Sequence, residues 1–265
     1  IGEYVKGKEE GMWMSYDEEG NMEAQYNFCK GLLAGEQVFY REDKSKVICS
    51  YQAGKLEGAY KVYNKFSVLK ELYHYSNDTL NGSYVSYTHK GVELIRGTYA
   101  QGLQEGIWTY KYSNGLVQGV RGYTKGFLVS SGDMFTPKGD KMKLGKVKEG
   151  NGDLTTLDSK GRITAVIPYI EGEKNGIGVM YHADGTVAAE VPYHSGEIHG
   201  NVVEYDQLGA AEASTWYWYG VEHGFYVSYY PNGDTAMIGL YNRGEMDSTW
   251  AEFYANDTLM YFGSY

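Results

Sequence analysis

Cysteine, proline and positive charge are scarce in this sequence, and each shortage excludes a class of protein. Among 265 residues there are 2 Cys and 4 Pro. Two cysteines cannot build the disulfide framework of a small secreted domain. Cys29 and Cys49 stand at opposite parity relative to the nearby tyrosines Tyr26 and Tyr51. They would therefore face opposite sides of a sheet, and we expect two free thiols.

The balance of charge is acidic. The 24 Lys+Arg stand against 34 Asp+Glu, which gives a net charge of −10. An acidic surface repels phosphate backbones and anionic lipid headgroups. We therefore expect no nucleic-acid partner, and the same charge argues against a membrane-lipid partner.

Long apolar runs are missing as well. No stretch approaches the ~18 apolar residues of a membrane-spanning helix, and no signal peptide is visible. The sequence begins at Ile1, without Met and in the middle of a repeated pattern, so we expect a preceding segment to have been trimmed. The location stays open, because a cell-envelope or secreted protein and a cytoplasmic protein both fit.

Tyrosine and glycine, in contrast, are abundant. The chain has 28 Tyr, 8 Phe, 5 Trp and 36 Gly. Aromatic residues favour half-buried pleated strands, whereas glycine favours turns. Since no helix signal is present either, the composition predicts an all-β fold with many short strands.

Glycine and tyrosine recur in register along nearly the whole sequence. Units of about 24 residues begin at a glycine, and the last unit begins at Ser248. The unit glycines are Gly11, Gly35, Gly58, Gly82, Gly106, Gly132, Gly152, Gly176, Gly200 and Gly224. A tyrosine column with the same period contains Tyr26, Tyr51, Tyr73, Tyr99, Tyr123, Tyr169, Tyr193, Tyr217, Tyr241 and Tyr265. Such a period is typical of repeat proteins, in which each unit is stabilised by its neighbours.

Each unit has the pattern of a β-hairpin. Aromatic strands are followed by turn signals such as Asn114-Gly115. About eleven hairpins paired side by side would form an elongated, single-layer antiparallel β-meander. This sheet must be twisted or rolled so that rings of adjacent units cover its apolar side. Since proline cannot donate to a strand ladder, Pro168 and Pro192 predict an unpaired or bulged position before the tyrosine column.

The unit at residues 132–151 has lost the aromatic pattern. It separates a first stack of repeats, residues 1–131, from a second stack, residues 152–265. This degenerate unit either bends the chain between two stacks or is merely a worn repeat, and the sequence leaves both interpretations open.

The order of glycine and aromatic residues within a unit resembles the MORN repeat. Residues 11–31, GMWMSYDEEGNMEAQYNFCKG, and residues 200–220, GNVVEYDQLGAAEASTWYWYG, carry the pattern. The spacing of 24 residues and the stretch YYPNG at 229–233 look most like the bacterial variant in YwqK-type antitoxin-family proteins. The resemblance implies a protein scaffold, an antitoxin in the bacterial variant and a membrane-lipid binder in eukaryotic members. The acidic charge argues against the lipid function for this chain.

Residues that carry chemistry are scattered. Of the six histidines, His199 and His223 share a repeat position, the residue before the unit glycine, where turn-compatible polar residues stand in other units. A metal bound by His194, His199 and His223 would need ligands ~2 Å from one ion, whereas equivalent residues of adjacent repeats lie ~10 Å apart. We expect no metal, cofactor, small-molecule ligand or catalytic residue, and the sequence predicts that the protein is not an enzyme.

Two features are candidate partner-binding sites. Alternation along residues 214–220, STWYWYG, places Trp216 and Trp218 opposite the core residue Tyr217 and therefore on the outer face. A basic stretch that would attract an acidic partner contains Lys138, Lys141 and Lys143. Both features also have a structural interpretation, as tryptophans half-buried against neighbouring strands and as a solvated lysine face.

Two functions follow from these features. The first is a non-catalytic repeat scaffold for protein–protein interaction, including an antitoxin-like one. The alternative is a cell-surface carbohydrate or cell-wall binding module that uses exposed aromatic rings.

Overall fold

The regular secondary structure of the computed structural model, which describes residues 2–264, consists of β-strands. The strands pair in antiparallel meanders in which sequence neighbours are also neighbours in the sheet. This arrangement confirms the all-β hairpin-repeat fold expected from the sequence. Tyr265, the last member of the predicted tyrosine column, lies outside the described residues.

The first of two compact units comprises residues 2–126 and Pro137–Lys141. Its strands are β1 (Glu3–Val5), β2 (Lys8–Tyr16), β3 (Met22–Cys29), β4 (Leu32–Leu33), β5 (Gly35–Tyr40), β6 (Lys46–Gln52), β7 (Lys55–Tyr63), β8 (Leu69–Ser76), β9 (Thr79–Leu80), β10 (Gly82–Tyr87), β11 (Glu93–Ala100), β12 (Leu103–Lys111) and β13 (Val117–Thr124). They pair in the order β1-β2-β3-β5-β6-β7-β8-β10-β11-β12-β13, with β4 beside β3 and β9 beside β8.

The second compact unit comprises Phe127–Thr136 and residues 142–264. The strands from residue 127 onward are β14 (Phe127–Ser131), β15 (Met134–Phe135), β16 (Lys141–Met142), β17 (Gly152–Leu157), β18 (Ile163–Ile170), β19 (Glu173–Lys174), β20 (Gly176–Tyr181), β21 (Val187–His194), β22 (Glu197–Ile198), β23 (Gly200–Tyr205), β24 (Ala211–Trp218), β25 (Val221–Tyr229), β26 (Thr235–Asn242), β27 (Glu245–Phe253) and β28 (Leu259–Ser264). The main sheet runs β17-β18-β20-β21-β23-β24-β25-β26-β27-β28, with β19 beside β18 and β22 beside β21.

The strand register shows which residues the repeat brings together. Each unit glycine except Gly132, which lies between strands, is opposite an aromatic residue of the next strand in the sequence. In the second unit the pairs are Gly152–Tyr169, Gly176–Tyr193, Gly200–Tyr217 and Gly224–Tyr241. Two early members of the column differ from the prediction, since the observed pairs are Gly11–Phe28 and Gly58–Tyr75. The predicted Tyr26 and Tyr73 lie two residues earlier on the same strand face.

The unit glycine allows a β-bulge rather than the chain reversal itself. Gly200 has a φ of 117° and lies where the short strand β22 gives way to β23, so pairing with β21 is interrupted there. Positive φ at this position favours glycine, although Ser248 adopts it at 61°. Pro192 borders the bulge and accepts the His199 N–H at 3.0 Å. The bulge predicted beside the prolines is therefore present, and it recurs in hairpins without proline.

Two kinds of turn alternate along the chain. The Asn-Gly and Asp-Gly turns have positive φ at the glycine, as at Gly115, φ 85°, whose N–H donates to Tyr112 O at 2.9 Å. Tighter turns close the other end of each hairpin, where both central residues have positive φ, such as Lys125 at 49° and Gly126 at 84°. That is type I′ geometry, so the tightest reversals lie at the x-Gly dipeptides.

In three units a glutamate before the unit glycine ties a tight turn to the preceding hairpin. Glu10 Oε2 accepts the N–H of Lys30 at 2.8 Å, and Glu105 Oε2 accepts the N–H of Lys125 at 2.8 Å. Hydrogen bonds to a charged acceptor are stronger than those between neutral groups. These carboxylates therefore connect successive repeats through the backbone.

Aromatic rings of adjacent hairpins pack along the inner face of the first unit. The ring centroids of Tyr84 and Trp108 are 5.5 Å apart, and Tyr99 meets Trp108 edge to face at 5.1 Å. Tyr73 continues the row, 4.9 Å from Tyr84. Trp108 is 2% exposed and lies directly over Gly97 of the preceding hairpin. Such ring pairs contribute ~0.5–1.5 kcal/mol beyond their area burial.

In the second unit the aromatic seam is interrupted. Tyr226, Tyr241 and Trp250 form a cluster with centroid separations of 5.1–5.9 Å. At the positions equivalent to Tyr226, however, the two preceding hairpins carry Val202 and Gly178. The predicted row of rings is therefore present at Tyr226, Tyr241 and Trp250 and is interrupted at Val202 and Gly178.

Both cysteines are free thiols, as the sequence predicts. Cys29 is exposed, whereas Cys49 is buried against Val47 and Val62. Burial raises the pKa of the Cys49 thiol to about 11. Thiol reagents at neutral pH should therefore modify Cys29 first.

Replacing Gly97 with alanine should destabilise the first unit. The new Cβ would lie 2.1 Å from Trp108 Cδ2, so the indole must move. We expect a loss of ~1–3 kcal/mol in the free energy of unfolding, measured by urea denaturation. Since Trp108→Leu removes the clashing ring, it should cost less in the Gly97→Ala background than in the wild type. Strictly additive losses would contradict this packing.

Alkaline pH should unfold the protein through its inner tyrosines. Burial is the main cause that raises the pKa of Tyr73, Tyr99 and Tyr241. The folded state thus holds these phenolic protons more tightly than the unfolded chain. This contribution to stability is complete below the unfolded pKa of ~10 and is lost as the pH rises through the higher folded-state values.

Tyrosinate absorbance and circular dichroism, recorded together, measure this effect. One group of tyrosines should ionise near ~10, and a second group should ionise only as the β-sheet signal disappears. Ionisation of all tyrosines in one step with the sheet intact would contradict the buried seam.

Candidate functional site

The predicted partner-binding residues lie in separate parts of the chain. Lys138 and Lys141 are exposed in the segment assigned to the first unit, and the exposed Lys143 follows β16. Trp216 and Trp218 lie on β24 of the second unit. Docking of an acidic partner on the lysines stays a prediction, whereas the tryptophans belong to a larger cluster of rings.

Trp216 and Trp218 lie on the outer face of β24, and the buried Thr215 of the same strand lies on the other face. Trp218 is 54% exposed and Trp216 is half-buried. Their ring centroids are 5.8 Å apart and the ring planes are 22° from parallel. Trp216 lies beside Gly224, which has no side chain to displace the indole. The two tryptophans therefore form a stacked pair at the surface.

His199 joins this pair to a third ring. Its ring centroid lies 4.8 Å from that of Trp218 and 4.5 Å from that of Tyr219. Two further histidines border the cluster, with His194 5.9 Å from His199 and His223 6.3 Å from Trp216. We define the aromatic–histidine patch as His194, His199, Trp216, Trp218, Tyr219 and His223.

At the patch, histidine replaces the glutamate that ties a tight turn in other hairpins. His199 occupies the position of Glu10 and Glu105 relative to the unit glycine. Its Nδ1 is buried and has no hydrogen-bond partner among the described residues. The ring packs instead on Tyr219, a residue of the next tight turn. At this position, a ring contact is therefore present where other hairpins have a hydrogen bond from the turn to a carboxylate.

Tyr219 holds a strained backbone conformation. Its φ is 43°, in a turn position where other hairpins carry residues such as Gln101 and Ser195. Left-handed φ is uncommon outside glycine and costs an L-residue ~1–2 kcal/mol. The Tyr219 side chain is 41% exposed, so burial in the core does not offset this cost.

The three histidines of the patch do not converge on a common point. Across residues 2–264, no group of three or more His, Cys, Asp or Glu side chains is placed to hold a metal ion. A search of the same described residues for a helix that is long and apolar enough to cross a membrane finds none. The chemistry of the patch is therefore that of exposed rings, which stack and exclude water.

Sequence reasoning identified the two tryptophans but missed their neighbours. It treated His199 and His223 as solvated turn residues and gave Tyr219 no role. A comparison of the tight turns would have found Tyr219, because it places an aromatic residue before a turn glycine, Gly220. The contacts of His199 follow from the bulge at Gly200, which the sequence pattern did not reveal.

Replacing Tyr219 with asparagine should stabilise the protein slightly. Asparagine adopts positive φ more readily than tyrosine, so a gain on the order of 0.5 kcal/mol should remain after the loss of the ring contact with His199. Thermal unfolding measures the change. Gln101→Asn, at the equivalent turn position of the first unit, is the matched control and should gain more because it loses no ring contact. A strong loss of stability in Tyr219→Asn would show that the ring is structural.

Comparison with known proteins gives one family match. The family model described as MORN repeat variant matches residues 9–30, which cover the hairpin of β2 and β3 except its first residue. No curated protein matches the chain.

Two solved structures show a weak likeness to this chain. The Photorhabdus luminescens Tc holotoxin pore is 11% identical at a TM-score of 0.21, and TcdB2-TccC3 without its hypervariable C-terminal region is 11% identical at 0.22. The alignments cover 95% and 94% of this chain but 16% and 17% of theirs. Similarity at this level carries no argument about this protein. The family match therefore supports a MORN-like repeat at residues 9–30, within a chain of repeated antiparallel hairpins.

Proposed function

We propose that this protein is a non-catalytic repeat scaffold that binds another protein through the aromatic–histidine patch. The observation that carries the proposal is a contiguous cluster of large exposed rings, with Trp218 54% and Tyr219 41% exposed. Contiguous exposed apolar surface marks interaction sites more often than isolated exposed residues do. Tryptophan and tyrosine are also the residues most enriched at interface hot spots.

The surroundings of the patch support the same function. Phe225, 67% exposed, lies on the outer face opposite Leu240. Ile177, 61% exposed, lies opposite Pro192 on β20, three strands before β24 in the main sheet. Apolar side chains therefore extend along the outer face on both sides of the tryptophans. A partner could bury them together with the patch.

An antitoxin would be one form of this function, in which the bound protein is a toxin. The resemblance of the repeats to those of YwqK-type antitoxin-family proteins supports this form. The exposed rings favour a protein partner, whether or not that partner is a toxin.

A carbohydrate is the second candidate ligand. The near-parallel rings of Trp216 and Trp218, 22° apart, would offer an apolar platform to the face of a sugar ring. A cell-surface or cell-wall binding module would use the patch in this way. Exposed Trp218 is central to both functions, so the same variant tests both.

A peptide-display library tests the proposed protein-binding function. Peptides selected on the wild-type protein are measured against Trp218→Ala and against Phe66→Ala. Phe66 is 73% exposed in the first unit and provides the matched control. Since hot-spot truncations cost at least ~2 kcal/mol, affinity for Trp218→Ala should fall by about thirtyfold, and affinity for Phe66→Ala should be unchanged.

The outcomes of this selection separate the candidates. Selected peptides that bind Trp218→Ala as tightly as the wild type would contradict the protein-binding function of the patch. A glycan array probed with the same three proteins is run beside it. A glycan signal that Trp218→Ala abolishes, without any peptide that depends on Trp218, would favour the carbohydrate function.

A further inference from the structure

We propose that the partner segment bound by the patch is a basic, extended peptide whose arginine or lysine side chains are spaced to reach Trp218 and a glutamate on either side of it. This inference rests on the proposed protein-binding function and specifies the partner. It follows from three observations, which are the distribution of charge between the two stacks of repeats, the exposed indole pair and the carboxylates on either side of it.

The acidity of the chain is concentrated in the second stack of repeats. Residues 152–264 contain 4 Lys+Arg and 16 Asp+Glu, whereas residues 1–151 contain 20 and 18. The patch lies within the acidic part. A surface with such an excess of carboxylates attracts cations and repels anions, which favours a basic partner over an acidic or anionic one.

The indole pair suits a cationic side chain. A guanidinium or ammonium group over the face of a tryptophan is attracted by the ring quadrupole, and tryptophan is the best aromatic partner for this contact. The chain already makes contacts of this type internally, with Arg121 4.4 Å from the centroid of the Tyr110 ring and Lys174 4.9 Å from that of Tyr193. Trp218 offers the same chemistry to a ligand because its ring is exposed.

Carboxylates lie on both sides of the exposed ring, at unequal distances. Trp218 lies opposite Val221 in the ladder between β24 and β25. At the equivalent place one hairpin earlier, Glu197 lies opposite His194, and one hairpin later Glu245 lies opposite Asn242. Both glutamates are exposed. Strand positions are ~4.8 Å apart, so Glu197 lies one strand position, ~5 Å, to one side of Trp218, and Glu245 lies three strand positions, ~14 Å, to the other side.

The spacing of these groups fixes the spacing of the ligand charges. An extended peptide advances ~3.3 Å per residue, so ~5 Å is spanned by one or two residues and ~14 Å by about four. A basic side chain on Trp218 would therefore have a second basic side chain one or two residues away near Glu197 and a third about four residues away, in the other direction, near Glu245. The titratable or basic groups that share this surface are His194, His199, His223 and Arg243. Arg243 occupies the turn before Glu245, so the Glu197 side offers the less hindered carboxylate.

Synthetic peptides provide the test. The probe carries a central arginine, a second arginine two residues before it and a third four residues after it. Two control peptides carry either citrulline in place of arginine or the same arginines in one contiguous block. Binding is measured by calorimetry at low and at moderate salt. The protein variants are Trp218→Ala, the double variant Glu197→Gln/Glu245→Gln, and Glu42→Gln as a matched exposed carboxylate of the first unit.

We expect the spaced arginine peptide to bind most tightly, with binding weakened by salt. Citrulline should lower the affinity by about tenfold or more, and Trp218→Ala and the double glutamine variant by about fivefold each. Glu42→Gln should bind like the wild type. The neutral glutamine keeps the size of the exposed glutamate, so a loss in the double variant reports charge rather than unfolding, and thermal unfolding checks that each variant is folded.

Equal affinity of the citrulline peptide, or of the double glutamine variant, would overturn this inference. Its failure is distinguishable from failure of the proposed function. If display selection yields peptides that depend on Trp218 but lack basic residues, the protein-binding function stands and the basic partner is wrong. If no peptide of any charge depends on Trp218, both are wrong.

Discussion

Contact between the side chains of adjacent hairpins is the constraint on which this structure depends. A hairpin alone is at best marginally stable in water, so its apolar face must be covered by its neighbours. Trp108 does so by lying over Gly97 and beside Tyr84 of the preceding hairpin. Such close approach requires a residue without Cβ on one strand and a large ring on the next. Stability is therefore a property of neighbouring repeats rather than of single ones.

The glycine and tyrosine periods predicted the hairpins because these residues report turns and half-buried faces directly. The strand register was harder to predict from the sequence. Tyr26 and Phe28 lie on the same strand face, so the sequence does not show which of them faces Gly11. The unit glycines are also not the glycines of the tight turns. The tight turns lie at dipeptides such as Lys125-Gly126, whereas the unit glycines lie at bulges. Bulges leave the repeat length unchanged, and the spacing alone does not reveal them.

At the candidate site, too, the sequence predicted some features and not others. Alternation along β24 predicted that Trp216 and Trp218 face outward, because side-chain direction in a strand depends on parity alone. The contact of His199 with Tyr219 joins residues 20 positions apart through a bulge and a turn, so local patterns could not predict it. The patch occupies the part of the sheet where Val202 and Gly178 replace inner-face rings. Aromatic side chains that stabilise the repeat elsewhere are here placed on the outer face.

Hydrogen exchange of the first unit tests most directly whether neighbouring repeats hold one another in place. In a Trp108→Ala variant, amides of β12 lose their own packing, and the account predicts that protection also falls in β10 and β11 of the preceding hairpin. Loss of protection confined to β12 and β13, with β10 and β11 unchanged from the wild type, would show that each hairpin is stable on its own and would contradict the account.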